Sequence, residues 1–342
     1  MLDALVTLAR CIRIGGLAFG ASVLFGVGAG CGGDGASAAQ STGGTGAVDA
    51  GSGADAQVDA WAQPDSAGDA GIVLPPLTRP LWLGYFKVAG RYGDYTLEAT
   101  SNAGNCACVF ANHGDFDTAT QDPIALTAKA AADLATLDAG IVIAGAPAEI
   151  LAAAPYWSQV VTLYVTGEAT GSAALDPTPC EQQATVARAH VQSLGLPSRP
   201  VLCYFDTDIS DDPSGLWHDP IGVDWIGINA YLGPTAPPTT AVAIAELRDR
   251  IARQLDRLPA SRPVILMAQA YDRSGAWTDI PMLAALQPIY LEEARLEPRI
   301  RGIWWFSYSR PGGTLTHPSL RPWHEAVFAA NVLGKPEIES PP

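Results

Sequence analysis

Short apolar runs alternate with amphipathic segments along most of the chain. Eight of the runs read as β-strands: Leu81–Phe86, Cys106–Ala111, Gly140–Ala144, Val160–Glu168, Pro200–Phe205, Asp224–Tyr231, Pro263–Tyr271 and Arg301–Tyr308. Helical spacing fills most of the intervals. Ile124–Leu137 carries Leu126, Leu134 and Leu137, with Pro123 placed for a first turn, and Pro147 opens the short segment Pro147–Ala154 in the same way. Cys180–Leu194, Pro281–Leu296 and Ser319–Val332 follow the same period. The clearest helix is Thr239–Leu258, with Val242, Ile244, Leu247, Ile251, Leu255 and Leu258 on one face and Arg/Asp on the other. Strands alternating with helices predict a parallel sheet, and eight such units predict closure into a (β/α)8 TIM barrel over residues 77–334. The alternative is an open doubly wound sheet, which the want of a glycine-rich phosphate turn disfavours. The first unit is poorly marked, because Gly90–Asn105 reads as loop.

The N-terminal part has no such periodicity. In residues 1–30, Arg10 and Arg13 precede the apolar stretch Leu17–Phe25, which ends in small residues before Cys31. This resembles a bacterial lipoprotein signal, which implies lipidation of Cys31 and a place in the cell envelope. Gly28 departs from that pattern, standing where leucine is usual, and an ordinary cleaved signal followed by secretion is the alternative. Residues 31–76 are rich in Gly, Ala, Ser and Asp, with Asp34, Asp49, Asp55, Asp59, Asp65 and Asp69. Such a segment buries too little apolar surface to offset its ordering entropy, so a disordered acidic tether is expected. Residues 335–342 read as a polar tail.

Charge narrows the partners. The chain has 20 basic and 35 acidic residues, net −15, so nucleic acid and an anionic membrane surface are excluded except through the N-terminal anchor. A monomer is expected. Of the cysteines beyond Cys31, Cys106 and Cys108 lie too close on one strand to pair with each other. Either suits a disulfide with Cys180 or Cys203 in an oxidising compartment. No CxxC pair accompanies the scattered histidines, so no metal is expected; Gly28-x-Gly30-x-x-Gly33 matches a dinucleotide fingerprint in spacing only, with no strand before it and no helix after it, so no cofactor is expected. Gly-x-Ser-x-Gly, Walker and His-Glu-x-x-His patterns are also absent.

In a barrel of this kind chemistry sits at the C-terminal ends of the strands. In chain order the polar and aromatic residues there are Tyr85; Asn112, His113 and Asp115; Glu168; Asp206 and Asp208; Asn229 and Tyr231; Gln269, Tyr271 and Asp272; Trp305 and Ser307. Glu168 continues the Thr162/Tyr164/Thr166 face of its strand toward the barrel mouth. Together these residues would form an aromatic cleft holding a few carboxylates, which suits a sugar. Each has a plainer reading beside that one. Tyr85, Trp304 and Phe306 suit packing, Asp206 and Asp208 suit helix caps, and His113 suits a loop.

Glu168 after the fourth strand, Ile226–Tyr231 at the sixth, Pro263–Tyr271 at the seventh and Gly302–Tyr308 at the eighth resemble the retaining (β/α)8-barrel glycoside hydrolases over about residues 80–330. The resemblance implies an extracytoplasmic poly- or oligosaccharide as substrate or ligand, Glu168 as general acid/base, and Tyr231 and Trp305 lining the sugar subsite. Tyr85, Asn112, Asn229, Gln269 and Tyr271 join them as binding candidates. Two departures stand out. Gly167 replaces the asparagine usual before the acid/base, and Gln269 occupies the place of the nucleophilic glutamate. An amide cannot act as that nucleophile, so the second carboxylate would fall to Asp206, Asp208 or Asp272. The alternative is a non-catalytic carbohydrate-binding barrel, or a structural surface lipoprotein.

Overall fold

Eight strands pair in sequence order, all parallel, and the eighth returns to the first. They are β1 (Trp82–Phe86), β2 (Cys106–Val109), β3 (Gly140–Ala144), β4 (Val160–Thr166), β5 (Val201–Phe205), β6 (Trp225–Ala230), β7 (Val264–Gln269) and β8 (Ile300–Phe306). Closure is a five-residue register in which Trp82 to Phe86 pair with Gly302 to Phe306. The result is a (β/α)8 TIM barrel. The structure, a computed structural model, describes residues 72–86, 104–109, 122–166, 175–205, 208–212, 214–232, 237–270, 280–306 and 320–341. The signal, Cys31 and most of the tether lie outside the described residues.

Six helices are described: α1 (Pro123–Thr136), α2 (Pro147–Ala153), α3 (Thr178–Ser193), α4 (Thr240–Asp256), α5 (Ile280–Leu296) and α6 (Arg321–Ala330). Their starts follow from local chemistry. Asp122 accepts from the Ile124 and Ala125 amides ahead of α1, and Thr239 accepts from the Val242 amide ahead of α4. A 3-10 segment, Ala154–Gln159, continues α2 to the start of β4. No helix occurs among the described residues between β5 and β6.

The barrel wall separates two apolar layers. Outward residues such as Leu83, Ile143, Leu163, Phe205, Ile228, Leu266 and Trp305 pack under the helices. Inward residues form a second cluster, including Trp82, Phe86, Cys106, Cys108, Val142, Tyr164, Tyr204, Trp225, Met267 and Trp304. The sequence pattern predicts strict alternation in β4, with Val161 facing as Leu163 does. Instead the β3–β4 register slips by one residue there, and Val161 joins Tyr164 in the lumen.

The N-terminal end of the lumen is filled. A Cβ at Gly140 would come within 2.5 Å of Val161 Cγ2 and 2.7 Å of Trp82 Cζ3, so glycine there makes room for the indole. Gly104 leads into β2 at φ +106°, where a side chain would strike the Leu83 carbonyl. The residues expected as a polar tail lie across this end. Lys335 bonds the Asp138 carbonyl and carboxylate, Ile338 packs against the lumen cluster, and Glu339 pairs with Arg301 at 3.7 Å.

Of the four cysteines in the barrel, Cys180 on α3 and Cys203 on the outer face of β5 form a disulfide, with Cα atoms 6.0 Å apart. Cys106 and Cys108 are in no disulfide among the described residues and are buried in the lumen, where burial pushes the pKa of the Cys106 thiol far up. The pairing therefore joins the two cysteines on opposite sides of the β5 wall contact, and neither member of the Cys106/Cys108 pair takes part.

Candidate functional site

At the C-terminal end of the lumen the filling changes from aliphatic to aromatic and phenolic. Phe86 lies 5.3 Å from Tyr164, 5.8 Å from Tyr204 and 5.9 Å from Phe306, measured between ring centroids. Tyr164 and Tyr204 are 6.4 Å apart, and Tyr231 is 6.2 Å from Phe306. Five strand ends thus supply one connected layer of rings, from β1, β4, β5, β8 and the residue after β6. Most of these contacts are tilted or edge-on, as ring quadrupoles favour.

Two amides stand beside this layer. Asn229 on β6 and Gln269 on β7 are both buried. The Asn229 Oδ1 accepts from the Tyr231 amide at 2.8 Å, and the Gln269 Oε1 accepts from the Leu232 amide at 3.1 Å. Both carbonyl oxygens therefore hold the turn that leaves β6. That turn sets the Tyr231 ring against the layer.

The strand ends are clamped from the helix side. Tyr290 on α5 donates to the Ala230 carbonyl at 2.9 Å and accepts from the Gln269 amide at 3.1 Å. Gln254 on α4 donates to the Asn229 carbonyl at 2.8 Å, and Arg250 donates to the Tyr231 carbonyl. Gln287 on α5 donates through Nε2 to the Leu283 and Gln269 carbonyls, so its Oε1 is an acceptor. It receives the Trp305 indole N–H at 2.8 Å and the His324 Nε2–H at 3.0 Å. That fixes the His324 tautomer, leaving Nδ1 to accept from the Tyr85 hydroxyl at 2.7 Å. Burial holds this imidazole neutral, with its pKa down at about 3.

This network corrects two of the sequence expectations. Tyr85 and Trp305 do not line the mouth. They face the helices, 6.2 Å apart, with His324 against both rings. Their neighbours one residue along, Phe86, Trp304 and Phe306, hold the inward positions. The physical reason is that the strand ends of β1 and β8 are aromatic on both faces, so period-2 alternation does not reveal which face is inside. Tyr231 is inward, as expected.

Asp208 is also accounted for. Its Oδ2 lies 3.3 Å from Arg250 Nε and 4.0 Å from Arg253, while its Oδ1 accepts from the Ser210 amide at 2.9 Å. This carboxylate ties the segment after β5 to α4, and it is not available as a second acid. Asn112, His113, Asp115, Glu168, Asp206, Tyr271, Asp272 and Ser307 lie outside the described residues. Sequence reasoning missed Phe86, Tyr204 and Phe306 as members of the layer.

No protein-family model and no curated protein matches the chain. Solved structures similar to it are glycoside hydrolases. A GH128 (subgroup I) endo-β-1,3-glucanase from Amycolatopsis mediterranei, in complex with laminaripentaose, is 14% identical, with 71% of this chain and 98% of that chain covered and a TM-score of 0.45. A GH5-4 broad specificity endoglucanase from an uncultured bacterium is 10% identical, with 74% and 94% covered and a TM-score of 0.45. A GH113 β-1,4-mannanase is 11% identical, with 75% and 99% covered and a TM-score of 0.45.

Proposed function

We propose that the chain is an exported glycoside hydrolase that holds a poly- or oligosaccharide over the C-terminal mouth and protonates the leaving oxygen with Glu168. The observation that carries this reading is the ring layer of Phe86, Tyr164, Tyr204, Tyr231 and Phe306 at the lumen end where such barrels do chemistry. Phe86, Tyr164, Tyr204 and Tyr231 are buried, so they form the floor beneath the mouth, with Phe306 half-exposed at its edge, and Glu168 follows Thr166, the last residue of β4, by two.

Cleavage needs a second carboxylate, and the proposal gives that part to Asp206. The β4–β5 register pairs Val165 with Cys203 and Thr166 with Tyr204. We extend that pairing by two residues, to Glu168 and Asp206. Neighbouring strands run about 4.8 Å apart, close enough for two side-chain carboxyl groups to reach either the ~5–5.5 Å or the ~6.5–9.5 Å separation of a glycosidase pair. Two carboxylates that close raise the pKa of one of them, as a proton donor at neutral pH requires. Asp272 is the alternative partner.

The cell envelope is the proposed location, with Cys31 as the lipidated residue. The Cys180–Cys203 disulfide supports an oxidising compartment.

One observation favours a second reading. Where the resembled family has its nucleophile, Gln269 is an amide whose oxygen is engaged with the Leu232 backbone. A barrel that binds sugar without cleaving it would look the same at that position. The experiment is to incubate the protein with a panel of polysaccharides, measuring both reducing ends and binding, beside Glu168→Gln. Hydrolysis that falls by about 10²–10⁴ in the variant, with binding kept, is the expected result. Binding without turnover in both proteins would establish the second reading instead.

A further inference from the structure

A cavity of about 280 Å³ opens on the outside of the barrel. Its polar lining is Arg188 and Gln192 of α3 with Ser198 and Arg199 from the segment before β5, and its apolar wall is Leu163, Val191 and Leu196. Arg188 is neutralised by Asp224. Arg199 is not. It is 8% exposed, no carboxylate among the described residues pairs with it, and it makes two hydrogen bonds, to the Ser198 and Trp157 carbonyls at 3.0 Å each. A guanidinium has five N–H donors, so three have no protein acceptor, the buried Nε–H among them.

A buried cation without a counter-charge is costly, and the cost falls when an anion joins it. The planar fork of a guanidinium matches a carboxylate in two parallel hydrogen bonds. Three of the seven lining residues are aliphatic, which accommodates a hydrocarbon stem.

We infer that the cavity bounded by α3 and the β5 approach is a binding site for a small organic carboxylate, its head on Arg199 and its stem against Leu163, Val191 and Leu196. The site is separate from the proposed sugar cleft, because its lining comes from the outer layer and the N-terminal approach to β5.

The test is thermal melting of the full chain with sodium hexanoate, sodium acetate, sodium phosphate or sodium chloride at equal ionic strength. Hexanoate should raise the melting temperature saturably by about 3 °C. Acetate should need at least about tenfold more ligand, since it lacks the stem, and chloride and phosphate should give no saturable shift. Arg199→Met should abolish the hexanoate response. Because that change also removes two anchoring hydrogen bonds, Gln192→Glu serves as the second variant. It supplies a fixed carboxylate at the cavity, and it should melt no lower than wild type while losing the response. No saturable hexanoate shift in wild type, a phosphate response as large as that of hexanoate, or an undiminished response in Gln192→Glu would overturn the assignment.

Discussion

The two ends of the barrel lumen are filled differently. At the N-terminal end Trp82 and Trp225 are buried among Val161 and Ile265, with Ile338 of the C-terminal segment packed on the cluster. The contacts there are aliphatic on aromatic, and glycine at position 140 leaves the indole its space. At the C-terminal end, tyrosines and amides replace aliphatic neighbours, and the backbone is pinned from outside by Tyr290, Gln287, Gln254 and Arg250. The lower end is stabilised by what it excludes. The upper end is held from behind, which leaves its inner face to carry polar groups. The difference teaches that at the upper end the strand-end carbonyls take their hydrogen bonds from helix side chains of the outer layer.

The comparison breaks most readily at the lower end. Trp82→Ala removes a buried indole from the lumen floor and should cost about 3–5 kcal/mol. Denaturant unfolding measures this, and the sugar affinity of the protein that remains folded should not change. A loss of affinity with unchanged stability would show that the two ends are not separate in the way described.

Reduction should act next. Cys180 and Cys203 close a loop across 23 residues, so opening it, or a Cys180→Ala/Cys203→Ala double variant, should lower stability by about 3 kcal/mol. Melting with and without reductant gives the value, and the double variant should show no further drop.

Acid sharpens the account of the upper end. The buried His324 has its pKa lowered from 6.5 to about 3, so between those values the unfolded chain binds more protons than the folded one. The contribution is fully present above pH 6.5 and is lost progressively as pH falls toward 3. Replacement by His324→Gln should flatten that part of the stability–pH curve. An unchanged slope in the variant would assign the acid sensitivity elsewhere.

The smallest expected effect is at the mouth. Phe306 is half-buried at the end of β8, and Phe306→Ala should weaken oligosaccharide binding about tenfold while lowering stability less than Trp82→Ala does. Isothermal titration with the polysaccharide that the wild type binds measures it.

The strands were legible from sequence because each is buried on both faces and reads as a continuous apolar run between turn residues. The same property hid their orientation. Tyr85-Phe86 and Trp304-Trp305 each offer an aromatic residue to either face, and only the polar partners on α5 and α6, Gln287 and His324, decide that Tyr85 and Trp305 turn outward. The slip at Val161 has no local signature, because valine suits either side of a β-bulge. The disulfide depended on how α3 docks on β5, which no spacing between cysteines encodes. Tyr231 was placed by its position just after a strand end, whereas Asp208 was misleading because its partners, Arg250 and Arg253, come from a helix some forty residues later.

The measurement that tests the central claim most directly compares leaving groups. If Glu168 protonates the departing oxygen, Glu168→Ala should reduce kcat/KM on a polysaccharide by about 10²–10⁴. On an activated aryl glycoside, whose leaving group departs without a proton, the same variant should lose much less in the glycosylation step. Equal losses on both substrates would contradict the assignment of Glu168 as the acid.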